Sequence, residues 1–104
     1  MTETIVTVFA ALGDETRWSI LEALGEGDAS ASALAGRLPV SRQAIAKHLA
    51  VLQEVGLVEP VRVGREVQYR VLGAQLSATA QRLDAIGVEW DRRLAAIKTI
   101  AESL

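Results

Sequence analysis

The pattern of apolar and polar positions is most informative in the middle of the chain, over residues 30–56. Apolar residues recur at helical spacing over 31–38, which predicts a short helix with one apolar face. Ser30 is a suitable N-cap for this helix, because its hydroxyl can accept an unpaired amide proton of the first turn. Pro39 cannot continue a helix, so the chain must turn there.

A second, longer helix is predicted directly after this turn, over residues 42–55. Ser41 is a suitable N-cap for it, and Gly56 can end it in a left-handed conformation. The helix has an apolar face that should pack on the first helix and an open face near its N-terminus. The apolar face consists of Ile45, Leu49 and Leu52, and the open face of Arg42, Gln43, Ala46 and Lys47.

Two helices joined by a tight turn, the second open near its N-terminus, form the pattern of a helix-turn-helix. The early turns of such a second helix enter the major groove of DNA, where a few side chains reach base edges. Arg42 can donate two hydrogen bonds to guanine, and Gln43 can pair with adenine. The Ser41 hydroxyl and the helix N-terminus suit a phosphate. Any one of these residues is explained equally well as a solvated side chain, and the combination is the more specific signal.

His48 is the only histidine in the chain, and it lies between the two faces of the second helix. The simpler interpretation is an orienting residue bonded to nearby backbone. The alternative is a contact to a phosphate or a base. A metal site is disfavoured, because a lone histidine without cysteine offers too few ligands.

Residues 57–62 and 66–72 are rich in β-branched side chains and predict two strands around Gly64. The glycine permits a turn, which places Arg62 and Arg65 at or near the tip of a hairpin. From there both arginines can reach a DNA backbone or minor groove. An ordinary charged hairpin is the alternative, but a recognition helix directly upstream favours a wing.

Helical patterns also occur on the N-terminal side of the helix-turn-helix. Residues 4–12 predict a helix, although their β-branched side chains also favour a strand. A further helix is predicted over 15–24, with Asp14 as its N-cap. Trp18 lies on the apolar face of that helix, and we expect it in the core rather than in a small-molecule pocket.

The last predicted helix runs from Gln75 to the end of the chain, with apolar residues spaced alternately by four and three. This spacing is typical of a helix-packing seam. A domain this small does not need so long a helix for its own core, so we expect it to pack against a second copy. A helix folded back on its own chain is the alternative. The expected dimer contacts on this helix are Leu83, Trp90, Leu94 and Ile97.

Composition excludes several classes of protein. The 104 residues suffice for one modest core and contain no cysteine, which is compatible with the cytoplasm. There is neither an apolar run of about 18 residues nor a signal-peptide pattern, so we expect no membrane span. The sequence contains neither a glycine-rich phosphate loop nor a Ser-His-Asp set, so we expect neither an enzyme nor a cofactor.

The net charge of −2 is unusual for a DNA-binding protein, but its distribution is informative. Residues 1–36 carry six acidic residues and one arginine, whereas residues 37–70 carry six basic and three acidic residues. The positive charge therefore lies in the segment assigned to DNA. This modest patch predicts weak non-specific affinity and reliance on two subunits.

Two segments resemble the ArsR/SmtB family of bacterial repressors. VSRQAIAKHLAVLQEVGLVEP resembles the helix-turn-helix and following strand of that family, and LGDETRWSILEAL resembles its second-helix signature. The resemblance implies a mainly α fold with a small β-hairpin wing, dimerised through its terminal helices. It therefore adds Ile5 and Phe9 of the first helix to the expected dimer contacts. The SRQA and KHL residues, with the C-terminal EWDRRL, are similar to the branch without metal-binding cysteines. Residues 29–32, where family metal sensors carry cysteines, are Ala-Ser-Ala-Ser here, so we expect no metal.

These expectations combine into one winged helix-turn-helix domain over 1–104, with a DNA-binding core over 14–72 and dimerisation through 4–12 and 75–104. The predicted function is that of a homodimeric repressor that binds an inverted-repeat operator in double-stranded DNA. Its own promoter is a candidate target, and an unidentified small molecule is a candidate inducer. The alternative is a winged-helix module that binds protein without specific DNA binding. The candidate DNA contacts are Ser41, Arg42, Gln43, Lys47, His48, Arg62 and Arg65.

Overall fold

A computed structural model describes residues 5–103 and confirms a mainly helical fold with a small antiparallel sheet. Thr4 and Leu104, at the ends of two predicted helices, lie outside the described residues. The helices are α1 (Ile5–Leu12), α2 (Glu15–Glu26), α3 (Ala31–Arg37), α4 (Arg42–Glu54) and α5 (Gly73–Ser103). The strands are β1 (Ala29–Ser30), β2 (Val58–Val63) and β3 (Glu66–Val71).

The helix boundaries follow from local capping chemistry. The side chains of Asp14, Ser30 and Ser41 each accept a hydrogen bond from the backbone amide three residues later, at 2.9, 3.0 and 3.2 Å. These bonds satisfy amide protons that have no partner within the helix. Gly56 follows α4 with a φ of 79°, the left-handed conformation that glycine adopts without strain. The predicted caps are therefore confirmed.

The core lies between the first four helices and the strands. The apolar face of α4 is its centre, since Ile45, Leu49 and Leu52 are fully buried. This burial fixes the rotation of α4 and leaves its opposite face outward. The other large side chains buried to the same degree are Val8, Ile20, Leu34, Leu57 and Val58.

The sheet has the order β1-β3-β2, and β1 was not predicted. Strands β2 and β3 pair from Val58–Val71 to Val63–Glu66, which leaves a two-residue loop. Gly64 opens this loop with a φ of 63°, as expected for a glycine in a tight hairpin loop. The two residues of β1 pair with Tyr69 and Gln68. This pairing attaches the wing to the beginning of α3.

One prediction for α2 is wrong and one boundary is shifted. The helix extends two residues beyond the predicted Leu24, through Gly25 to Glu26, and Gly27 is its cap. Trp18 is 51% exposed rather than part of the core. It lies one turn before the buried Leu21, where α2 borders a surface cavity of about 440 Å³. The cavity is lined by Phe9, Leu12, Gly13, Trp18, Leu76, Thr79, Ala80 and Leu83.

Only the beginning of α5 contacts the core. Leu76 packs against it and Thr79 is buried, but every described residue from Ala80 to Ser103 is exposed. The alternative of a helix folded back on its own chain is therefore wrong. The helix runs uninterrupted through Gly87 and contributes to an overall length of 69 Å. None of the described helices is long and apolar enough to cross a membrane.

The Asp14 cap makes stability depend on pH. The amide hydrogen bond from Arg17 is the main cause that lowers the pKa of Asp14 below its usual 3.8, and the nearby charge of Arg17 adds to it, although desolvation opposes both. A carboxylate with a lowered pKa contributes its full stabilisation above the pKa of the unfolded chain, and the contribution declines below that value until it is lost as the pH falls through the folded-state pKa.

We expect the substitution Asp14→Asn to remove this dependence, because asparagine caps a helix but does not titrate. Thermal unfolding of both proteins from about pH 6 to about pH 2 checks this. The difference between wild type and variant should change as the pH falls through the lowered pKa. A difference that stays constant over this range would contradict the expectation.

Candidate nucleic-acid interface

The outward face of α4 presents the polar side chains that the sequence predicted. Arg42, Gln43, Ala46 and Lys47 are all exposed within the first two turns. They lie opposite Ile45, whose burial holds the helix against the core. The position of these side chains is therefore set by packing rather than by a mobile loop.

A groove of about 520 Å³ separates the N-terminal part of α4 from the wing. It brings Arg42 and Gln43 of the helix to the same depression as Arg65 of the hairpin loop. Ser41, Lys47 and Arg62 are exposed but do not line it. Glu66, an acidic residue of the second wing strand that was not among the predicted site residues, does line it. The complete lining is Ser30, Ala31, Ser32, Arg42, Gln43, Ala46, Arg65, Glu66, Val67 and Tyr69.

The cations of this surface are available for a ligand. Arg37 and Arg70 are paired with Glu26 and Asp28, at 2.9 and 3.9 Å. By contrast, four cations form neither an ion pair nor a side-chain hydrogen bond within the described chain. Unpaired cations on one surface are what a phosphate backbone requires. These four are Arg42, Lys47, Arg62 and Arg65.

The side chain of His48 bonds to no backbone atom of the residues that the structure describes, so the interpretation of a histidine oriented by nearby backbone is wrong. Its Nδ1 lies 3.3 Å from the Nη1 of Arg17 and 3.9 Å from Oδ1 of Asp14. The Nε of Arg17 in turn donates to the carbonyl of Ala11 at 2.7 Å. The sequence carries no sign of this cluster, because Arg17 and His48 are 31 positions apart. A contact between His48 and DNA stays a prediction.

The expected dimer contacts lie mostly on exposed surface. Ile5 is half-buried, while Phe9 borders the same cavity as Leu83 and Trp18. The exposed fractions of these side chains are 36% for Phe9, 54% for Leu83, 56% for Trp90, 49% for Leu94 and 61% for Ile97.

Among the residues described, no group of three or more His, Cys, Asp or Glu side chains could hold a metal ion.

Fold and groove together define a winged helix-turn-helix, and comparisons with known proteins agree. A family model for a helix-turn-helix domain matches residues 12–61. The HTH-type transcriptional regulator Rv2034 from Mycobacterium tuberculosis is 36% identical over 93 residues, which are 89% of this chain and 84% of that protein.

Solved structures give the same result. An ArsR-like transcriptional regulator from Rhodococcus sp. RHA1 is 69% identical, with a TM-score of 0.85 over 96% of this chain and 94% of that one. The homodimeric winged helix-turn-helix DNA-binding domain Mb0332 from Mycobacterium bovis is 28% identical, with a TM-score of 0.65 over 84% of this chain and 78% of that one.

The chain is thus a DNA-binding transcriptional regulator of the winged helix-turn-helix class, and not an enzyme. It belongs to the ArsR family.

Proposed function

We propose that this chain is a homodimeric repressor that binds an inverted-repeat operator through α4 and the wing. The groove shared by Arg42, Gln43 and Arg65 is the observation that carries the proposal. It combines donors suited to base edges with a cation suited to the adjacent backbone. The proposed DNA-binding core covers residues 14–72.

Each candidate contact has a separate role on the recognition helix. Arg42 pairs with a guanine and Gln43 with an adenine, since both extend from the first turn of α4. Lys47, one turn later, binds a phosphate or a base edge. Ser41 contributes the helix N-terminus to a phosphate, although its hydroxyl already accepts the amide of Ala44.

The wing completes the contact to the backbone. Arg65 occupies the two-residue loop, and Arg62 pairs with Val67 near the end of the hairpin. Both side chains are exposed and unpaired, so their charge is available to a phosphate or to the minor groove. His48, at the edge of the open face, is the remaining proposed contact.

The dimer is proposed to form through residues 4–12 and 75–104. Side chains about half exposed or more within the described residues form an apolar stripe along α5, made of Leu83, Trp90, Leu94 and Ile97. A stripe of this kind on a protein surface marks an interaction site. The homodimeric state of Mb0332 supports a second copy as the partner. Two recognition helices about 34 Å apart would then enter successive major grooves.

Repression follows from occupancy of a promoter, which blocks polymerase, and its own promoter is the proposed first target. The proposed place of action is the cytoplasm, where a bacterial regulator reaches DNA. A small-molecule inducer would act by favouring a dimer geometry that misplaces the two recognition helices.

A gel-shift titration with the DNA upstream of its own gene tests this function. The titration is repeated at several salt concentrations, with a scrambled duplex of the same length as competitor. Specific binding that weakens steeply with salt supports the repressor. A folded dimer with no preference over the scrambled duplex would instead favour a winged-helix module that binds protein.

We expect the substitution Arg65→Ala to weaken operator binding by about three- to tenfold, because a backbone contact positions the protein without reading sequence. The slope of log affinity against log salt should become shallower by about 0.9 for each phosphate that the variant no longer neutralises. Arg70→Ala is the matched control, since Arg70 lies on the same hairpin but pairs with Asp28. Equal salt slopes for the two variants would contradict a wing contact.

A further inference from the structure

The guanidinium of Arg17 lies where α1, α2 and α4 meet. Arg17 belongs to the first turn of α2. Its Nε donates to the carbonyl of Ala11 at 2.7 Å, and its Nη2 donates to that of Ala10 at 3.4 Å. Both carbonyls are in the last turn of α1, where helix carbonyls lack partners and attract a cation. The same guanidinium therefore caps the helix that precedes its own.

The third contact of Arg17 is with the recognition helix. Its Nη1 lies 3.3 Å from the Nδ1 of His48, which is half-buried in the middle of α4. Nδ1 can accept this bond only in the neutral tautomer that carries its proton on Nε2. In that tautomer Nε2 remains a donor for an acceptor outside the chain. Arg17 thus fixes both the orientation and the donor atom of His48.

Direct packing between α1 and α4 is incomplete beside this contact. A cleft of about 230 Å³ separates the two helices, and Arg17 forms part of its wall. The other lining residues are Thr7, Ala10, Ala11, Val51, Glu54 and Val55. Arg17 connects the two helices through three directed hydrogen-bond donors. Such bonds fix the distance between the helices more strictly than apolar contact does.

We propose that Arg17 is a positioning residue for DNA binding, which holds the recognition helix α4 at a fixed place relative to α1. Because α1 belongs to the proposed dimer interface, the bridge sets the separation of the two recognition helices. The inference rests on the proposed function. Without the bridge, the dimer would discriminate less between operators that differ in the spacing of their two half-sites. This effect comes in addition to any loss of affinity.

The test uses a duplex that the wild-type protein selects from a random pool, and the same duplex with two base pairs inserted between its half-sites. Arg17→Lys keeps the charge but cannot bond to two carbonyls and an imidazole at once. We expect the preference for the original spacing to fall by about tenfold, the loss expected for a charge-assisted hydrogen bond. Sedimentation and circular dichroism establish that the variant is dimeric and folded.

A double-mutant cycle with His48 tests whether Arg17 acts on the spacing preference through its contact with His48. His48→Leu removes the acceptor, whereas His48→Asn keeps an acceptor near the position of Nδ1. The spacing preference should therefore fall less in His48→Asn than in His48→Leu. Arg17→Lys should have little further effect in the His48→Leu background, because the bridge is already broken. If Arg17→Lys does not fold, the two His48 variants decide the question.

The outcomes separate this inference from the proposed function. A wild type that selects no sequence removes the proposed function and the inference together. A wild type that selects an inverted repeat, with unchanged spacing preference in Arg17→Lys, leaves the function and overturns the inference. Equal weakening on both duplexes, or losses that simply add in the cycle, also overturns it, because a merely structural role predicts these results.

Discussion

The substitution Leu94→Asp is expected to convert the dimer into a monomer and to lower operator affinity by about 100-fold, since one half-site then binds alone. Leu94 is 49% exposed on a part of α5 in which every described residue is exposed. In a symmetric dimer the new carboxylate is buried twice, and an unpaired buried charge is strongly unfavourable. Trp90→Asp should have the same effect, because Trp90 lies one turn earlier on the same stripe.

Sedimentation equilibrium and the operator gel shift measure this effect together. Ala96→Asp is the matched control, because two residues correspond to about 200° of helical rotation and Ala96 lies opposite Leu94. It introduces the same charge at an exposed position two residues away. A Leu94→Asp protein that remains fully dimeric would place the interface elsewhere and would contradict the proposed role of α5.

The second large effect is expected for Arg42→Ala. A bidentate contact to guanine discriminates by about 1–3 kcal/mol, and a symmetric dimer makes it twice. We therefore expect at least about 30-fold weaker operator binding, since about 1.4 kcal/mol corresponds to tenfold, and relaxed specificity at one base pair of each half-site. The fold should be retained, because Arg42 is exposed and bonds to no other side chain among the described residues.

Lys47→Ala distinguishes base reading from backbone contact. A phosphate contact predicts weaker binding on all sequences and a shallower salt slope, without a change of specificity. Arg92→Ala provides the charge-matched control, since Arg92 lies on α5 and pairs with Glu89 at 3.0 Å. Unchanged operator affinity in both Arg42→Ala and Lys47→Ala would remove the proposed recognition face.

The helix-turn-helix could be predicted from the sequence because its determinants are local. Ser41 accepts the amide proton of Ala44 three residues later, and Gly56 needs only its own positive φ. The apolar spacing of α4 is sufficient to decide which side is buried. The turn at Gly64 and the wing arginines follow from equally short-range rules.

The features that were missed depend on residues far apart in the chain. The two residues of β1 have no pattern of their own and become a strand only by pairing with Tyr69 and Gln68. Trp18 has the spacing of a core residue, but the described chain leaves it 51% exposed at the edge of a surface cavity. The contact between Arg17 and His48 requires the fold that brings α2 beside α4. The spacing of apolar residues along the chain does not reveal these contacts.

A hydroxyl-radical footprint on the DNA upstream of its own gene tests the central claim most directly. A dimer that inserts two α4 helices predicts two protected half-sites on one face of the duplex, related by two-fold symmetry and about one helical turn apart. Protection should disappear with Leu94→Asp and weaken with Arg42→Ala. Uniform protection, or none at protein concentrations where the dimer is fully formed, would contradict the account.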